Sequence, residues 1–168
     1  MSRIFHLLLA FAVVALAAPA RAQQPAEKPD LHIDIPVQPK ASKVVFNMGH
    51  PAFAGDQPIG LMHMQLMARY YAEHHTPLEV IAIFHGAAGY MLLNDQAYDR
   101  ARKSAKGNPY KEQIAALQQA GIQFEECGQT ARSNGWTNTD LLPGIKVDAG
   151  ANLRLVQLMQ DGFVQLQP

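Results

Sequence analysis

The chain has 168 residues, 48% of them hydrophobic and 17% charged, a length and composition suited to one folded domain rather than a disordered chain. Fourteen basic residues balance fourteen acidic ones, and no run of Lys or Arg occurs, which argues against a nucleic-acid-binding protein. The single cysteine, Cys127, has no second thiol in the chain to bridge.

At the N-terminus, Arg3 precedes an apolar run from Leu7 to Ala18, followed by Ala20-Arg21-Ala22. This is the pattern of a cleavable export signal. Twelve apolar residues are too few to span a bilayer, which takes ~20 in a helix. The expected mature chain begins at Gln23, is soluble and periplasmic, and keeps no membrane segment. Cleavage removes Arg3 and Arg21 and no acidic residue, leaving 12 basic against 14 acidic side chains, a net of −2. In an oxidising compartment a lone cysteine is buried and inert, paired with another chain, or a working thiol or ligand.

Residues 23–42 carry prolines at 25, 29, 36 and 39 and read as an extended leader. Within it Leu31, Ile33, Ile35 and Val37 alternate with polar residues or proline at the period of a strand. The leader is either a tether left after export or an arm along a neighbouring subunit or sheet edge. Prolines confine such an arm to an edge.

From residue 43 the pattern changes. Lys43–Asn47 and Leu78–Phe84 are nearly continuous apolar runs rich in β-branched residues, as in strands covered on both faces. Between them, Pro58–His75 places Ile59, Met62, Leu66 and Tyr70 on one helix face. Farther on, Asn108 is expected to cap a helix with Pro109 at its first position, a stripe of Tyr110, Ile114 and Leu117, and Gly121 past its end. A third strand follows in IQFEEC, a fourth in IKV after the Leu141–Gly144 turn, and a fifth in FVQLQ. Asp148 is expected to cap the helix that Gly162 ends. Strands alternating with helices predict an α/β fold: a three-layer α/β/α sandwich around a mainly parallel five-stranded sheet.

Ligands in such sheets collect beyond the carboxyl ends of the strands. Those ends supply Asn47 to His50 after the first strand, His85 and Gly86 after the second, and Cys127, Gly128 and Gln129 after the third. Cys127 stands where a strand becomes a helix, and free amides at a helix start favour a negatively charged sulfur. Glu125 and Glu126 oppose that charge, and Glu126 points to the opposite face. His85 either serves chemistry or caps the next helix. His50 sits in the loop GHPAFAGDQP. Met62, His63, Met64 and Met67, with His74 and His75, suggest copper by ligand type, yet Met62 and Met67 also fit the helix's packing face. No Gly-x-Ser-x-Gly elbow, phosphate loop or dinucleotide fingerprint is present, and no cofactor is expected.

Three stretches taken in order, FHGAAGYMLL, GNPYKEQIAALQQAGIQFEECGQT and LLPGIKVDAGANLRLVQLMQDGF, resemble the DsrE/DsrF-like family from about residue 43 to the end. The Cys-Gly-Gln-Thr step and the Leu-Leu-Pro-Gly turn are specific in combination. The resemblance implies the three-layer fold, a homo-oligomer (trimer or hexamer), and a cysteine that carries sulfur as a persulfide between thiol-bearing partners. Cys127 matches that cysteine. The acidic pair before it departs from the apolar approach expected there.

The sequence therefore points to an exported protein that relays reactive sulfur on Cys127, with His85 as acid or base and a rim of His50, Gly86, Gly128, Gln129 and Thr130 binding the ligand. The alternative is an oligomeric module without catalysis, which binds a small molecule or copper and keeps Cys127 as a structural residue.

Overall fold

A computed structural model describes residues 32–168. The expected signal segment and the leader up to Leu31 lie outside the described residues. Among residues 32–40 no strand forms, and Ile33, Ile35 and Val37 are exposed. The alternation of Ile33, Ile35 and Val37 therefore makes no strand among the described residues.

The central sheet has five parallel strands in the order β6-β5-β4-β1-β7. These are β1 (Ser42–Met48), β4 (Leu78–Phe84), β5 (Gln123–Cys127), β6 (Lys146–Asp148) and β7 (Val164–Leu166). The two central strands, β1 and β4, are the longest and carry the Val/Ile/Phe runs, because a strand flanked by others and covered on both faces can bury every side chain. The edge strands have three residues each, which leaves little open backbone for unwanted pairing. A short hairpin, β2 (Phe53–Ala54) with β3 (Gln57–Pro58), leads into α1 (Ile59–Glu73). Two 3-10 segments (Gly86–Leu92 and Asn138–Asp140), α2 (Asp95–Arg102), α3 (Lys111–Gln119), α4 (Gly128–Ser133) and α5 (Ala151–Gln160) complete the described elements. None of the helices among the described residues is long and apolar enough to cross a membrane.

The two faces of the sheet carry separate cores. On one, Phe46, Phe84 and Phe124 pack with Leu61, Met64, Ile114 and Met91, all at most 1% exposed. Each such side chain contributes about 1.5–3 kcal/mol through burial. On the other face Val45, Ile81 and Ile83 pack with Leu155 and Leu158 of α5, and Cys127 belongs to this second cluster.

Three sequence expectations shift. The core face of α1 is built from Leu61 and Met64, with Met67 and Ala68 packed beside them, whereas Leu66 and Tyr70 are exposed. Both stripes have helical spacing, and the approach of α1 to the sheet selects one. Asn108 is not a helix cap at Pro109: α3 starts at Lys111, and the buried Asn108 donates from Nδ2 to the carbonyls of Met91 and Leu93 while its Oδ1 accepts from Tyr110 N. Asp148 does not cap α5, whose N-cap residue is Gly150 and lacks a side-chain cap.

Candidate functional site

The strand order makes β6, β5, β4 and β1 consecutive, so the strand ends singled out in the sequence form one row. Phe84 is the ladder partner of Glu126, and the extended His85 comes one step later, level with Cys127 on the adjacent strand. Cys127 is in turn the ladder partner of Asp148. Alternation puts Asn47, His85, Cys127 and Asp148 on the α5 side of the sheet.

Cys127 is 4% exposed. Its Sγ accepts a hydrogen bond from Ala151 N at 3.3 Å. The backbone donor at the sulfur is therefore the first residue of α5, rather than Gly128 or Gln129 of α4, and the positive end of a ten-residue helix meets the thiol. Gly128 has another task. A Cβ there would collide with the carbonyl oxygen of Asp148, so glycine lets the start of α4 lie against the end of β6. The Gln129 side chain donates to Ala149 O at 3.4 Å, a long bond that ties α4 to the turn before Ala151.

Farther along the row, His85 Nε2 lies 2.7 Å from Asn47 Oδ1. An amide oxygen only accepts, so Nε2 carries the proton and Nδ1 keeps a lone pair. Burial, aided by the nearby His50, holds the His85 pKa below the usual histidine value, and the ring is neutral at physiological pH. His50 itself is exposed. Gly86 N donates to Thr130 Oγ1 at 2.8 Å, tying the turn after β4 to α4. His85 with His50, Gly86 with Thr130, and Cys127 with the Gln129 latch are thus three neighbouring groups along one rim.

The acidic pair divides between the two faces. Glu125, on the α5 side, accepts from Arg154 Nε and Arg154 Nη2, both at 2.9 Å. Glu126, on the other side, is 0% exposed, and neither carboxyl oxygen has a hydrogen-bond partner. It lies against Gly89, where a Cβ would stand 2.7 Å from Oε1. Burial, with smaller contributions from Cys127 and Asp148, pushes its pKa up to about 9, so Glu126 is a neutral acid at physiological pH. Asp148 has both carboxyl oxygens buried and unbonded. Burial raises its pKa, although the amides of Gly150 and Gly128 lie near enough to counter part of the rise without completing hydrogen bonds.

A strongly perturbed acid such as Glu126 at a strand end marks a functional candidate. In sequence Glu126 is only a charge opposing the thiol, and Asp148 is a candidate helix cap. Alternation placed Glu126 on the far face, but its lack of a counter-ion is a tertiary fact.

No curated protein matches the sequence. Among solved structures, the chain is similar to a protein of unknown function, MTH1491 from Methanobacterium thermoautotrophicum, with a TM-score of 0.59 and 18% identity over 76% of this chain and 99% of that one. It is also similar to the ychN protein from E. coli, with a TM-score of 0.53 and 16% identity over the same shares of the two chains. These likenesses establish the shared fold. The DsrE/DsrF-like family matches residues 42–168, the whole of the α/β domain, and the chain belongs to that family.

Proposed function

We propose that this protein is an exported sulfur carrier of the DsrE/DsrF-like family, working in the periplasm as a homo-oligomer and holding sulfane sulfur as a persulfide on Cys127. The observation that carries the reading is the position of Sγ at the carboxyl end of β5, where Ala151 N and the start of α5 meet it. A backbone donor and a helix N-terminus suit a sulfur that bears negative charge as the attacking thiolate and again as the thiolate released when the acceptor takes the outer sulfur. The neutrality of Glu126 removes one opposing charge.

In the reaction, the Cys127 thiolate attacks the sulfane sulfur of a donor persulfide, R–S–SH. The donor S–S bond breaks, R–S⁻ leaves, and Cys127–S–SH forms. An acceptor thiolate then attacks the outer sulfur and regenerates the Cys127 thiolate. No oxidant is consumed. His85, neutral and on the adjacent strand, is the candidate base for the thiol proton.

The test is intact-mass measurement after treatment with polysulfide. Mature protein is expected to gain multiples of one sulfur atom, and Cys127→Ala none. Absence of any gain, while a control persulfide carrier labels, overturns the proposal.

One observation favours a second reading: Cys127 is 4% exposed among Val45, Ile81, Ile83 and Leu155, the setting of a structural cysteine in a binding module. Under that reading native protein resists a maleimide that labels the unfolded chain, and sulfur uptake fails. The carrier reading instead requires the Ala149–Gly150 turn to open, and it predicts slow native labelling.

A further inference from the structure

The α5 side of the sheet holds a cavity of about 490 Å³ between α5 and strands β5 and β6, within the range of small-molecule sites. Its wall includes Asp148 and Ala149. Asp148 is the ladder partner of Cys127, and Ala149 belongs to the turn that leads from it to Ala151, the donor to Sγ. The cavity thus reaches the segment that leads to Ala151, the donor to Sγ, while Cys127 itself does not line it.

Its charges sort themselves. Glu125 and Arg154 neutralise each other through two hydrogen bonds at the cavity floor, and Glu79 is paired with Lys43 at 3.4 Å. Two opposite charges remain. Lys146 is exposed and, among the described residues, forms no ion pair with a carboxylate; its Nζ donates only to Gln123 Oε1. Both Asp148 carboxyl oxygens are buried and without a hydrogen bond, a costly arrangement that a cationic donor would relieve once the Ala149–Gly150 turn lifts and opens them to the cavity.

Lys146 and Asp148 are two residues apart on β6, on the same face, with Cα atoms about 6.6 Å apart. An α-amino acid carries its ammonium and carboxylate on one carbon, and these two side chains can close on that carbon from either side. Asp148 and Cys127 lie on neighbouring strands about 4.8 Å apart, so a thiol one carbon beyond the amino acid head is within reach of Sγ once the turn lifts. We infer that this cavity seats the sulfur-exchanging small molecule, an aminothiol of the cysteine class or its persulfide, with its ammonium on Asp148 and its carboxylate on Lys146.

This inference rests on the carrier reading, and it supplies the R–S–SH donor and R–S⁻ acceptor of that exchange. An exchange between two thiols is balanced as written above. The cavity selects for a zwitterion over a simple anion, which separates it from a site for thiosulfate or inorganic polysulfide.

Calorimetric titration of L-cysteine into mature Cys127→Ala protein tests the seat apart from the chemistry. Binding is expected, weakened at least tenfold by Asp148→Asn and by Lys146→Met. In the same unaltered cavity, cysteamine, which lacks the carboxylate, and 3-mercaptopropionate, which lacks the ammonium, should also bind at least tenfold more weakly than cysteine. Equal binding of the three thiols, or no cysteine binding, overturns the inference even if polysulfide still loads Cys127. Cysteine binding that survives when wild-type protein takes up no sulfur upholds the aminothiol seat and overturns the carrier reading alone.

Discussion

Glu125 and Glu126 are neighbours in the chain, both nearly sealed from water, yet the two faces of β5 treat their carboxyl groups differently. On the α5 face Glu125 is held by the fork of Arg154. On the opposite face Glu126 has no partner, and burial keeps it protonated. Pairing and protonation are two ways to bury a carboxylic acid, and they differ in what upsets them. The paired group depends on its partner, and the unpaired one depends on pH.

The largest expected effect concerns Glu126. Its folded pKa of about 9 exceeds the ordinary value of 4.5, so the native state binds the proton more tightly than the unfolded state does. Stability conferred by the protonated group is complete below pH ~4.5 and is lost as pH rises toward ~9, a loss of at most about 6 kcal/mol. Urea unfolding of Glu126→Gln is expected to remove most of this decline. An unchanged slope between pH 5 and pH 9 would show that Glu126 is not a buried neutral acid.

Arg154→Leu comes next, because it leaves Glu125 buried without its cation, at a cost of about 3 kcal/mol. The double variant Glu125→Leu/Arg154→Leu should recover most of the loss in the same unfolding measurement. A single variant as stable as wild type would mean that the fork is an ornament. The smallest effect belongs to Thr130→Val, which keeps the side chain's shape but removes the acceptor for Gly86 N. A loss of about 1 kcal/mol is expected, together with faster hydrogen exchange at Gly86. Unaltered exchange there would rule out the tie between the turn after β4 and α4.

Much of the fold was legible. Continuous β-branched runs identified β1 and β4 as strands covered on both faces, and IQFEEC ended where β5 ends, at Cys127. The rotation of α1 was not legible, because Leu66 and Tyr70 share a helical stripe as regular as that of Leu61 and Met64. A helix with two apolar stripes buries the one its neighbours approach. At the site, the row of His85 and Cys127 required the strand order, which no local pattern encodes. The meeting of Cys127 with Ala151 spans 24 residues and depends on β5 pairing with β6.

The amino-acid order alone determined which segments could become strands and helices, and that a lone thiol would stand at a strand end, since those outcomes depend on periodicity and local backbone preference. Tertiary structure decided which helix start met the thiol, which glutamate found a cation and which aspartate found none. Charge and hydrogen bonding act through space over a few ångströms, and only the folded chain sets those separations.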